Sequence, residues 1–193
     1  MSVLKIAAVF SSRAAAVEQG KGTDSLMLRA TSQETQHLPF AAILLGSSAK
    51  LMALNTVADV GLYLVSERTI LNAPLSALDS DQRPGSVGVF PMVAHPDLGS
   101  QASDEHWRLQ HAPLALEVHT MMTHYYQLSI VHRFAGPQWN GFALCCFKTE
   151  SDLRLHFFNS KGGERRIAED VRKFADTRRS PRRVVATLNG TNA

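Results

Sequence analysis

His111 is the residue of this chain whose type and position best suit proton chemistry. It stands in the segment Ser103-Asp104-Glu105-His106-Trp107-Arg108-Leu109-Gln110-His111-Ala112-Pro113-Leu114-Ala115. At about 100° per residue, Trp107, His111, Leu114, Val118 and Met122 fall within a wedge of roughly 80° on one helix. The imidazole is therefore centred on an apolar face. With an ordinary pKa of about 6.5 it can take or give a proton at cellular pH. Two surroundings satisfy such a residue: a core contact to a backbone carbonyl, or the wall of a pocket. Ala112 and Ala115 are small and leave room for the pocket, while Pro113 lacks an N–H and frees a carbonyl one turn earlier. Tyr125 and Tyr126 follow at the start of a strand and point to opposite faces. Tyr126 shares its face with Leu128, Ile130 and Phe134, so it is expected inside, where a phenol could polarise a carbonyl or phenolate oxygen. Tyr125 runs with Gln127, Ser129 and Arg133, and is expected to be partly exposed or at the polar end of a cavity. The expected apolar walls are Trp107, Ala115, Met122, Trp139, Gly141 and Phe142. Gly141 and Ala143 are small and share a strand face, which makes that face the better cavity wall.

Other chemistries are poorly served. The chain has eight histidines, yet His106 and His111, like His119 and His124, are five residues apart and do not share an α-helical face. There is no His-Glu-x-x-His, no Cys-x-x-Cys and no carboxylate at ligand spacing from His111, so no metal site is expected. Gly20-Lys21-Gly22-Thr23 lacks the spacing of a phosphate loop, and no Gly-x-Gly-x-x-Gly follows a strand, so no nucleotide cofactor is expected. A haem would need a second supporting feature, and none is present. Cys145 and Cys146 are adjacent, which suits free thiols in a reducing compartment better than a disulfide framework.

Around these residues the chain divides into two runs of elements. Val3 to Phe10 reads as a buried strand, residues 12–19 as a short helix closed by Gly20, and Ser25 to Ala30 as a strand. A polar connection over 32–37 leads to a strand from Phe40 to Leu45. A helix capped by Ser47 or Ser48 and a strand from Gly61 to Val65 follow. Leu71 to Pro84 reads as a linker. The order then restarts. Ser86 to Val93 is a strand, and Ser103 caps a helix over 104–123 with Asp104 and Glu105 at its positive end. Strands at 124–134 and 139–147 come next. Helices at 149–158 and 164–176, separated by Gly162-Gly163, precede a closing strand at 183–188. Each half approximates strand-helix-strand-strand-helix-strand, the split βαβ order. The reading is α+β: two ferredoxin-like (βαββαβ) units, 1–80 degenerate and 86–193 better formed, whose bare sheet faces cover one another in an α+β barrel.

The second half also resembles the EthD family. The resemblance rests on Ser103 to Trp107 followed by His111-Ala112-Pro113, on Tyr125-Tyr126-Gln127-Leu128, and on Asn140-Gly141-Phe142-Ala143 with Asn140 where an acid is usual. It continues through Phe147 to Asp152 and through Asp170 to Asp176, all in order across residues 86–191. It implies an α+β barrel, usually completed by pairing of chains, so a homodimer is expected unless the two units close on each other. It also implies a small hydrophobic molecule between helix and sheet. The expected function is a cofactor-independent enzyme or binder of a small hydrophobic, carbonyl-bearing or aromatic compound, with His111, Tyr126 and Tyr125 as the reacting groups. The alternative is a non-enzymatic accessory or interaction module with a solid barrel core.

Composition fits both readings. At 193 residues, with 45% hydrophobic and 19% charged residues, the chain can bury an ordinary globular core. The net charge is only +3. The basic pairs Arg165-Arg166, Arg172-Lys173, Arg178-Arg179 and Arg182-Arg183 alternate with Glu164, Glu169, Asp170 and Asp176 as on a solvated face, so no nucleic-acid partner is expected. The apolar stretch from Phe40 to Val65 is broken by Lys50, Asn55 and Asp59, well short of a membrane span. A cytoplasmic location without membrane contact is expected.

Overall fold

A computed structural model describes residues 3–32, 37–47 and 49–191. Most of the expected 32–37 connection, the Ser48 cap and the chain ends lie outside these residues. The first half contains β1 (Val3–Phe10), α1 (Arg13–Gly20), β2 (Leu26–Ala30), β3 (Ala42–Gly46), α2 (Ala49–Met52) and β4 (Gly61–Leu71). The second contains β5 (Ser86–Met92), α3 (Gly99–His106), a π-turn (Trp107–His111), α4 (Ala112–Val118), β6 (Met122–Ala135), β7 (Gly141–Phe147), α5 (Glu150–Leu155), α6 (Lys161–Phe174) and β8 (Val184–Gly190).

The eight strands form one closed antiparallel barrel in the order β1-β3-β2-β8-β5-β7-β6-β4. The seams between halves are β2 with β8 and β4 with β6. Closure leaves no free sheet edge. It also explains why the strands read as apolar on both faces: one face lines the barrel and the other lies beneath helices. Inside, Phe40, Tyr63, Tyr126, Trp139 and Phe142 belong to one continuous core with the inward aliphatics of both halves. Trp139 stacks on Tyr63 at 6.0 Å and meets Phe142 edge-on at 5.5 Å.

Three expectations change. The helix begins at Gly99, not at Ser103, and Ser103 is fully buried within it rather than capping its start. The pair Gly162-Gly163 lies within the first turn of α6, whose cap is Ser160, because Gly163 packs too closely for a side chain: a Cβ there would meet Val118 at 2.8 Å. The 71–84 linker is not a solvated spacer. Leu75 and Leu78 turn into one end of the barrel and join its core, since an open barrel end would otherwise expose apolar surface.

Candidate functional site

The helix α3 is fixed to the barrel by Asp104, whose carboxylate accepts from Arg68 and from the Ser129 hydroxyl at 2.7 Å. Asp104 thus serves as an anchor to β4 and β6, not as a helix-start charge. Arg68 in turn lies 5.4 Å from the Trp107 ring. Asn140 does similar work from β7's approach: its side chain accepts from Ala94 N–H at 2.8 Å and donates to Ser100 at 2.9 Å.

The helix then widens. Across the π-turn the Ala112 N–H reaches the Trp107 carbonyl, one residue further back than in an α-helix. Pro113 follows directly and has no N–H to offer the regular ladder. The Gln127 side chain gives the Trp107 carbonyl a second donor at 2.9 Å. The extra residue in the turn has a consequence that regular periodicity does not foresee: His106 and His111 come to one face and meet the same carboxylate. Asp170, on α6, accepts from His106 Nε2 at 2.9 Å and from His111 Nδ1 at 2.9 Å.

Asp170 is 6% exposed. Burial alone would raise its carboxyl pKa, but the bonds from His111 and His106 outweigh burial and hold it down at about 2. As an ionised carboxylate it can only accept, so His111 Nδ1 donates to it, which leaves Nε2 as the ring nitrogen turned from Asp170. Phe174, one turn beyond Asp170, covers both rings at 5.3 and 5.0 Å.

Beside this dyad lies a cavity of about 330 Å³ between the helices and the outer face of β5, β6 and β7. Trp107, His111, Ala115 and Phe174 form its helical side, with Phe90, Met92, Tyr125, Ala143 and Cys145 on the sheet side. Tyr125 is fully buried, and burial holds its phenol above the ordinary range, so it keeps its proton. Its oxygen accepts from Trp107 Nε1 and Gln127 Nε2, both at 3.2 Å, and among the described residues no acceptor meets its own O–H. His119 also lines the cavity; burial pushes its pKa down, and Nδ1 bonds the Phe157 carbonyl at 2.6 Å. Burial pushes the Cys145 thiol up to about 12, so it is a neutral wall rather than a nucleophile. Cys146 faces the barrel core, and both cysteines are free thiols. Among the described residues there is no grouping of three His, Cys, Asp or Glu suited to a metal ion.

The structure brings His111, Trp107, Ala115 and Tyr125 together at this cavity and separates the others from it. Tyr126 points into the barrel instead, donating to the Ala73 carbonyl at 2.7 Å. Trp139 and Phe142 pack inside the barrel as well, on the far side of the sheet. Met122 packs with Val118, Phe147 and Leu153 instead of lining the void. Gly141 has an indirect part, because a Cβ there would meet the Trp107 ring at 2.7 Å. The sequence reading missed Asp170 and His119, placing the first among solvated charges and giving the second no part in a site. Asp170 nevertheless carried a signal of the kind that singled out His111, since Ile167, Asp170, Val171 and Phe174 share one helical stripe.

Comparison with known proteins bears on the fold that carries these residues. Residues 95–178, which hold α3 to α6 and both members of the dyad, match the model of the EthD domain. No curated protein matches the chain. Among solved structures, one described as a crystal structure study of an anthrone oxidase-like protein matches with a TM-score of 0.58 at 8% identity, covering 98% of this chain and 93% of that one. At that identity the likeness is one of fold.

Proposed function

We propose, from the match of residues 95–178 to the EthD domain model, that the cavity under α3 to α6 binds a small apolar carbonyl compound and moves a proton on it. In this reading His111 Nε2 takes a proton from a carbon that the carbonyl acidifies, either beside it or in conjugation with it through a ring. The electrons of the broken C–H bond move onto the carbonyl oxygen, which the Tyr125 O–H meets as charge develops there. Asp170 steadies the imidazolium that forms. The observation carrying the proposal is the His111–Asp170 bond at 2.9 Å beside an apolar void that also holds the unspent Tyr125 donor. The void's 330 Å³ lies at the small end of the roughly 300–1,000 Å³ range of ligand pockets.

The same reading takes the halves 1–80 and 86–193 as two ferredoxin-like units. The strand orders β4-β1-β3-β2 and β8-β5-β7-β6, which follow the same pattern, support it. The competing reading is an accessory module; the solid barrel interior favours it, the void outside the barrel does not.

The name of the structural neighbour suggests a test ligand. Anthrone is a tricyclic aromatic ketone whose ring methylene is acidified by its carbonyl. Exchange of that methylene into D2O, followed by NMR, should be accelerated by the wild-type protein. His111→Ala should lose about 10²–10⁴ of that acceleration, the usual worth of a general base. Full acceleration by His111→Ala would sink the catalytic assignment, and wild-type stabilisation by anthrone without exchange would leave a binder.

A further inference from the structure

A second cleft, of about 490 Å³, opens at the end of the barrel that the 72–85 segment crosses. It lies apart from the His111 cavity and shares no lining residue with it. Barrel mouths are favoured positions for small ligands. Here Leu75 and Leu78 plug the barrel, and the Leu75 N–H is held by Glu67 at 3.0 Å. Glu67 also holds Lys5 at 2.5 Å, both side chains being almost fully buried. The Lys5 charge is thereby spent on a protein partner.

Arg83 is in the opposite condition. It lines the cleft, makes no hydrogen bond or ion pair among the described residues, and has its Nε buried without a partner. Arg83 as a whole is half-buried, so the cost falls on the Nε–H, which has lost water without gaining an acceptor, and an anion on the fork would offset it. Its position is provided for. The terminal nitrogens lie against Gly190 at the end of β8, where a Cβ would stand 3.3 Å from each. Leu26 and Leu45 face the cleft from the strands, and Ser76 and Ser80 from the crossing segment. Asp24 also borders it but is exposed, so solvent and salt screen its charge.

We propose that this mouth is a binding site for a small organic carboxylate. The Arg83 fork takes the carboxylate in the two-pronged geometry that guanidinium favours. The exposed serines supply further donors, and the leucines cover a short apolar chain. The site is independent of the reaction proposed for His111.

Calorimetric titration of the full chain with hexanoate, inorganic phosphate and chloride at matched ionic strength tests it. Wild type should bind one hexanoate at this site, more tightly than phosphate, and His111→Ala should bind it equally well. Arg83→Gln should bind hexanoate at least tenfold more weakly. Without ligand it should melt no lower than wild type, because it loses no hydrogen bond or ion pair among the described residues. Ser76→Trp, which fills the mouth from an exposed position and spares Arg83, should also lose binding. Unchanged binding in either variant would overturn the site. Arg83→Gln that melts several degrees lower or fails to fold would make Arg83 structural and overturn it too. Phosphate binding as tight as hexanoate would overturn the carboxylate assignment.

Discussion

The barrel is covered from outside by two helical layers that differ in kind. Over the first half, α1 and α2 are short, and Ala16, Leu51, Leu54 and Ala58 close directly onto Ile6, Ala8, Phe10 and Leu44. Among the described residues, no titratable side chain of α1 or α2 is buried. Over the second half, α3 to α6 bring Trp107, two histidines and an aspartate onto the same kind of strand face and leave a void beneath. The two sets of strands follow the same order. The difference therefore resides in the helices. Small aliphatic residues let a helix collapse onto the sheet, whereas a widened turn with a bonded polar pair holds it away.

If that contrast is right, the largest effect should come from the polar pair itself. Asp170→Ala removes the acceptor of a buried imidazole, His111, and a half-buried one, His106, at once. It should cut proton exchange on a carbonyl ligand by at least 10²-fold, as loss of the base itself would. Unpaired buried donors should also cost about 1–3 kcal/mol each in urea unfolding. Exchange at the wild-type rate would mean that the carboxylate does not orient His111.

The next effects set the layers against each other. Leu51→Ala opens a hole in the collapsed layer and should cost about 2–5 kcal/mol of stability while leaving ligand-induced melting shifts intact. Ala115→Leu should do the reverse, filling the void, abolishing the shift with anthrone and changing stability by less than about 1.5 kcal/mol. A collapse of stability in Ala115→Leu would show that the second layer is as tightly packed as the first.

The smallest effect is one of acid stability. Asp170 has a folded pKa near 2, below that of an unfolded carboxylate near 4. Its stabilisation is thus complete above about pH 4 and is lost as the pH falls toward 2. Urea midpoints measured down this range should fall more steeply in wild type than in Asp170→Asn. Parallel slopes would show that the carboxylate is not held in its ionised form.

Much of this arrangement was legible in the sequence. The strand-helix order could be read from apolar runs and turn residues, and His111 stood out because an imidazole interrupts an apolar stripe. The choice between Tyr125 and Tyr126 could not be made by parity. A strand of a closed barrel under helices is buried on both sides, so "inside" names two different places. Tyr126 took the barrel core and Tyr125 the cavity. The pairing of His106 with His111 was hidden for another reason. A 3.6-residue period assigns them to different faces, and only the extra residue of the π-turn brings them together. Leu75 and Leu78 were masked by the prolines and charges around them, which read as linker although the two leucines close the barrel.

Closure of the barrel within one chain has a consequence for symmetry. A barrel assembled from two copies of one sequence must repeat every feature, so its two helical layers are equivalent. When both halves belong to one polypeptide, a substitution in one layer leaves the other untouched. One half is then free to specialise as scaffold while its counterpart keeps the polar pair and the void. The void described lies under the helices of one half, so saturation there should occur at one equivalent of ligand per chain rather than two.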